Sequence, residues 1–366
     1  MSKINIKHFV DINIKHHEST NVTSTRDTVQ LIVAGGVASS GSVTVSSMTD
    51  YADKFKSQPV MYNATNPTDP QKYAQIYFEN GGIKLQISQG AASQATLEEM
   101  IRSLSDDIIV VAYVGDISYM KTTAINLAND STIYGTNEKI LLLRDSVTTN
   151  DYSNCGKLAV KYSEVTGAEM SIAAYLSRIN VYGVDTVRDY CYTRETDDLK
   201  TTIGDSTFEE IQKKYYNVDI ELAGATRNIG GDLANGYDIV NEYTLIILHQ
   251  TLSERLLRLL TQKIKGNAGL SAIRTVMAQE LSNYLTNGYL TTDKVWTDEP
   301  LIKTYNGVDY TIVDTNTPLL LGYIIKILPL TALTADDAAA RKTPPIYIVI
   351  ADSYGIRTIT IEGEVY

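Results

Sequence analysis

The residues with chemistry available to them are four histidines, two cysteines and a few paired carboxylates, and their spacing limits what they can do. His8, His16 and His17 lie near the N-terminus and His249 stands apart. No HExxH or CxxC occurs, so neither a helical zinc pair nor a thiolate site is built. The adjacent His16-His17 could take up an adventitious metal, but no biological metal site or other cofactor is expected. Cys155 and Cys191 read as small buried residues, and two thiols in 366 residues form no disulfide framework, which suits a reducing compartment. The glycine pairs Gly35-Gly36, Gly81-Gly82 and Gly230-Gly231 form no GxGxxG turn and no phosphate loop, and there is no GxSxG elbow. Asp106-Asp107 and Glu98-Glu99 are adjacent in sequence, so their carboxylates point to different sides and read as caps or a solvated face. Glu209-Glu210 ahead of Lys213-Lys214 reads as an exposed helix with intrahelical ion pairs. These residues converge on no polar site, and no enzymatic activity is expected.

The bulk composition points the same way. Hydrophobic residues make up 43% and charged residues 20%, a globular mix, and the net charge of -11 disfavours a nucleic-acid backbone as partner. The N-terminal residues are too often interrupted by charge to be a secretory signal. The longest apolar stretch, Leu319–Leu328 with Pro329 and Leu330 after it, contains Lys326 and falls short of the roughly 20 residues needed to span a bilayer. Direct membrane insertion is therefore not expected. Tyrosine occurs 25 times against four phenylalanines, a bias that suits half-wet interfaces.

Along the chain, short apolar strands alternate with helices. Strands are expected at Val29–Ala34, Val43–Val45, Ile83–Ile87, Ile108–Val114, Lys139–Arg144 and Val218–Leu222. Helices are expected at Asp50–Phe55, Pro70–Glu79, from Ser93 to Leu104, Ser118–Ala128, Ala168–Ile179 and Phe208–Tyr216. This alternation implies an α/β layer structure, or more broadly a mixed α+β fold. Leu245, Leu248, Leu252, Leu256, Leu259 and Leu260 recur at helical spacing. A second amphipathic pattern follows Gly269, and together they predict a helical hairpin. Strands follow at Tyr310–Val313, Leu319–Leu328 and Ile346–Ile350.

Both ends of the chain alternate with period two. Ile4, Ile6, Val10, Ile12 and Ile14 share one face of the first segment, and Ile359, Ile361 and Val365 share one face of the last. An amphipathic strand with a free edge templates pairing, either within the molecule or with a neighbour's sheet. The polar connector Glu18–Thr28 reaches about 30 Å at roughly 3.3 Å per extended residue, which favours exchange. Head-to-tail exchange that does not close gives a helical filament or tube.

Several short segments sharpen this reading. Ala335 to Ile346, the run ADDAAARKTPPI, is similar to the segment leading into the last strands of contractile tail sheath proteins of phages and R-type bacteriocins, in particular a compact sheath type. Tyr77-Phe78-Glu79-Asn80-Gly81-Gly82 resembles a helix-to-strand junction of that family, and Ile179–Gly183 with Arg188-Asp189-Tyr190 is a looser likeness. The resemblance implies a central mixed sheet flanked by helices, with extended terminal β-arms. It divides the chain into an N-terminal exchange arm and linker (1–27), an outer α/β domain (28–225), a sheath core domain with the helical hairpin and acceptor sheet (226–351) and a C-terminal exchange arm (352–366). It implies hexameric rings stacked helically around a tail tube protein, with baseplate and tail terminator proteins as further partners. The particle would be a virion tail or a bacteriocin, made and assembled in the host bacterial cytoplasm. Contraction would move the bodies while the arms keep them tethered. Arg255, Arg258, Lys263, Lys265 and Arg274 make the hairpin region locally basic, and they are the expected tube-facing residues. The alternatives are another tail component, of the tube or baseplate, or a stand-alone α/β ligand-binding domain or enzyme.

Overall fold

The computed structural model describes residues 26–35, 42–129, 138–183, 189–260, 262 and 266–353. The expected arm residues Ile4, Ile6, Val10, Ile12, Ile14, Ile359, Ile361 and Val365 lie outside these, as do Lys263 and Lys265.

The apolar runs form the sheet they imply. Strands β1 (Thr28–Val33), β2 (Val43–Val45), β3 (Lys84–Gln89), β4 (Val110–Val114), β5 (Ile140–Asp145), β6 (Leu158–Tyr162), β7 (Asn217–Leu222) and β8 (Ala225–Ile229) make one eight-stranded sheet, in the order β2-β3-β1-β4-β5-β6-β7-β8. The six strands from β3 to β7 are parallel, and β2 and β8 close the two edges antiparallel. Continuous runs such as Val110–Val114 and Ile140–Leu143 are what a strand needs when both of its faces are covered. Helices α1 (Met48–Phe55), α2 (Asp69–Glu79) and α5 (Met170–Ser177) pack on one face. Helices α3 (Gln94–Ser103), α4 (Ile117–Asn129) and α6 (Asp205–Lys213) pack on the other. Ser47, Thr68 and Ser93 cap α1, α2 and α3, each accepting a backbone N–H three residues on. β7 turns into β8 through Ala223 and Gly224, both at positive φ. The sheet therefore runs on to Ile229, and the boundary expected after residue 225 falls inside a strand.

Two long helices follow. In α7 (Ile239–Leu260), 15 of 22 residues are buried, so it is enclosed around most of its circumference and is less amphipathic than its leucine spacing suggests. α8 (Gly266–Thr286) packs against it as the second arm of the hairpin, starting three residues before Gly269. The remaining elements are β9 (Val295–Trp296), β10 (Leu301–Tyr305), β11 (Val308–Val313), β12 (Thr317–Pro318), β13 (Tyr323–Ile327), α9 (Ala335–Ala339) and β14 (Ile346–Ile350). They form three two-stranded antiparallel sheets: β9 with β12, β10 with β11, and β13 with β14.

Several of the tyrosines serve the fold itself. Tyr51, Tyr77, Tyr243 and Tyr284 are almost fully buried. Their hydroxyls donate to the carbonyls of Met61, Lys84, Arg26 and Thr244, a role phenylalanine cannot fill. Both cysteines are buried free thiols. Under the sheet, Lys161 is fully buried. Its Nζ meets Asp219 Oδ1 at 2.6 Å, Asn228 Oδ1 at 2.9 Å and the Tyr190 hydroxyl at 3.2 Å.

Glu195 lies beside this cluster, and burial pushes its carboxyl up to about 7, partly offset by the Lys161 charge. An acid whose folded value lies above its unfolded one contributes stability that is fully present below the unfolded value of about 4.5 and is lost as the pH rises through about 7. The urea midpoint should therefore fall from about pH 4.5 to about pH 8 more steeply for the unaltered protein than for Glu195→Gln, and equal slopes would contradict this assignment.

Candidate assembly surface

The β13–β14 sheet is the element that two alternating apolar segments must produce. Its register pairs Tyr323 with Ile350, Ile325 with Ile348 and Ile327 with Ile346 on one face, and Ile324 with Val349 and Lys326 with Tyr347 on the other. The first face packs on the main core beside α8. The second joins Ile312, Val313, Leu319 and Ala351 in a small separate core.

Hydrogen bonds at the two ends of this sheet fix which backbone groups face outward. Leu328 N–H donates to Pro345 O, and Ala351 N–H donates to Gly322 O. Hydrogen-bonded pairs alternate with non-bonded pairs in an antiparallel ladder. Ile325–Ile348 and its neighbours two residues away are thus the non-bonded pairs, and their N–H and C=O groups point away from the partner strand. On β13, Arg274 Nη1 donates to the outward Ile325 O at 3.0 Å. On β14, the outward groups of Ile346, Ile348 and Ile350 meet no partner among the described residues. The sheet therefore offers an edge of three isoleucines, with a charged side chain occupying the opposite edge.

The described body is also anchored at both of its ends on α7. Tyr243 Oη donates to Arg26 O at 3.0 Å, and Asn241 Nδ2 donates to Ser353 O at 3.0 Å. Arg26 is itself buried, hydrogen-bonded to Asp107, with Glu254 of α7 3.9 Å away. The first and last described residues, Arg26 and Ser353, are thus both hydrogen-bonded to side chains two positions apart on α7.

Of the basic residues singled out from the sequence, Arg255, Arg258 and Arg274 all interact within the molecule. Arg255 Nη2 lies 3.0 Å from Glu280 Oε2, and Glu280, fully buried, also accepts the Tyr182 hydroxyl at 2.6 Å. Arg274 holds the β13 edge. Arg258 is exposed on α7. Nothing in the sequence marked Arg274 as an edge residue, because its partner is a backbone carbonyl 51 positions away. Among the described residues no three His, Cys, Asp or Glu side chains are grouped as a metal site would need, and no helix is long and apolar enough to cross a membrane.

No protein-family model matches the chain, and no curated protein matches it in sequence. Solved structures do match. A chain of the cryo-EM structure of the anti-feeding prophage baseplate superposes with a TM-score of 0.65 at 15% identity, over 97% of this chain and 98% of that one. A chain of the PVC extracellular contractile injection system sheath complex, in the contracted state, gives 0.63 at 12% identity, over 97% and 96%. The sheath tail protein of Desulfitobacterium hafniense gives 0.53 at 8% identity, over 94% and 100%. The chain has the fold of contractile-sheath proteins. The likeness covers nearly the whole chain, and it is carried by architecture rather than by sequence.

The Arg255–Glu280 pair gives this surface a structural dependence. Arg255→Met leaves a buried carboxylate with one hydrogen bond, and should lower stability by about 1–3 kcal/mol in urea unfolding. Adding Glu280→Gln should recover part of the loss, and an unchanged midpoint in Arg255→Met would refute the pairing.

Proposed function

We propose that this protein is the structural subunit of a contractile sheath, which polymerises as stacked six-membered rings around a tail tube and shortens to drive that tube into a target envelope. The observation that carries the reading is a fold shared with sheath proteins over nearly the whole length of both chains. The second support is the free β14 edge, whose three outward isoleucines suit strand addition by a neighbour's terminal segment. The segments Ile4–Ile14 and Arg357–Val365 are the donors in this reading. The chain around β13 and β14 is the acceptor domain, and the body from β1 through β8 is the outer domain. In this reading the connectors to the donors adjoin Arg26 and Ser353, whose carbonyls are both held by side chains of α7.

The extended sheath in this scheme is metastable, and contraction releases energy as bodies gain contacts. No nucleotide is required, and the role is structural rather than enzymatic. The tube, the baseplate and a terminator are the partners, and the particle is a phage tail or a related injection device assembled in a bacterial cytoplasm. The match to a chain of a baseplate structure supports a second position for the subunit, at the baseplate end of the particle.

Negative-stain microscopy of the intact protein and of a form lacking residues 1–17 tests the assembly. Tubes or stacked rings from the intact chain, lost on deletion, are the expected result, and dispersed monomers in both would count against arm exchange. For tube contact, the informative charge reversal is Arg258→Glu, at an exposed position of α7. It should weaken co-assembly with the tube, more so at low salt, and undiminished co-assembly would exclude Arg258 from that contact.

A further inference from the structure

The parallel sheet has a switch point that the assembly reading leaves unused. From β1 the chain passes to the edge strand β2, beyond β3, and then through α1 and α2 on one face to β3. From β3 it passes through α3 on the opposite face to β4, on the other side of β1. The connections leave the carboxyl ends of β1 and β4 in opposite directions, which opens a crevice of the kind that holds ligands in open α/β sheets. A cleft of about 420 Å³ lies there, at Val33-Ala34 after β1, Val114-Gly115 after β4 and Arg144 on β5. Tyr73 of α2, Tyr113 and Met120 give it an apolar wall.

Two buried polar atoms in its lining have no partner among the described residues. Glu169 is 2% exposed; the Tyr73 hydroxyl interacts with its carboxyl, and its Oε2 is left without a hydrogen bond. Arg144 donates from Nη1 to Ser163 O at 3.1 Å, but its buried Nε–H is unmet. Orphaned buried polar groups are costly, and a native fold retains them for a reason. One is an acceptor and the other a donor, both line the same cleft, and their formal charges cancel. The complementary group is neutral and carries a carbonyl beside an N–H, on an apolar or aromatic body that fits the tyrosine wall.

We infer that this cleft binds a carboxamide, with its carbonyl accepting from Arg144 Nε and its N–H donating to Glu169 Oε2. The carboxamide belongs either to a small diffusible molecule or to an Asn or Gln side chain of a second copy.

Saturation-transfer NMR with the full chain tests this, using benzamide, its isostere acetophenone, which lacks the N–H, and benzoate, which adds a charge facing Glu169. Benzamide should bind with a Kd of about 1 mM, as expected for a ligand of its size. Acetophenone and benzoate should bind at least tenfold more weakly. Glu169→Met and Arg144→Met, each checked for fold by circular dichroism, should each weaken benzamide at least tenfold. Equal binding of the three probes, no saturable benzamide binding, or folded variants that bind unchanged would overturn the proposal. The probe comparison needs no variant and does not rest on the assembly reading. A second arm repeats the titration on assembled particles: retained binding assigns the site to a diffusible molecule, and loss on assembly assigns it to a neighbour's side chain.

Discussion

Packing on two sides of α7 is the contact from which the rest of the architecture follows. The helix shares the core beneath α1, α2 and α5, bonds to the loops ahead of β4 and β5, and at the same time receives α8, against which β13 packs. A helix enclosed in this way has little solvent face on which to put polar residues, so those it contains must find partners in the interior. Gln250 Nε2 donates to Asp106 O and to Glu138 Oε2, at 3.0 and 3.1 Å. His249 Nδ1 lies 2.8 Å from Glu138 Oε1, and Tyr284 of α8 donates to Thr244 O. These bonds tie α7 to the loops at one end of the sheet and to its hairpin partner. They fix its rotation in a way that apolar packing alone does not.

Much of this was legible in the sequence where a single physical signal dominated. Ser93 and the acidic turn after it placed α3, the uninterrupted apolar runs placed β4 and β5, and Ile346–Ile350 placed β14. Five strands went unread: β9 and β12 are two residues each, too short for any period to show, and β6, β8 and β10 were missed for separate reasons. β6 contains Lys161, which breaks the apolar run, and only Asp219 and Asn228, far along the chain, make that lysine tolerable in the core. β8 is a polar edge strand, Ala225–Ile229, stabilised by its hairpin rather than by hydrophobicity. β10 and β11 meet at Asn306-Gly307, both at positive φ, the dipeptide a two-residue hairpin turn prefers, and that signal was available but not used.

The candidate surface was legible in part. Period-two alternation correctly singled out Ile346–Ile350, but which backbone groups of β14 point outward depends on the pairing with β13, which is a tertiary fact. Likewise, the sequence showed basic residues on the hairpin. It could not show that Arg255 serves a buried glutamate on the facing helix or that Arg274 serves a strand carbonyl. Composition suggested half-wet interfaces for the tyrosines, and it could not reveal that several hydroxyls also reach backbone carbonyls inside the core.

The attachment of Arg26 to Tyr243 and of Ser353 to Asn241 has a mechanical meaning. Asn241 and Tyr243 are two positions apart, so a single turn of α7 braces both Arg26 and Ser353. Arg26 lies two residues before β1, so a pull on it is shared between this brace, its bond to Asp107 and the ladders that β1 makes with β3 and β4. A disturbance that turns α7 is therefore felt at both places together.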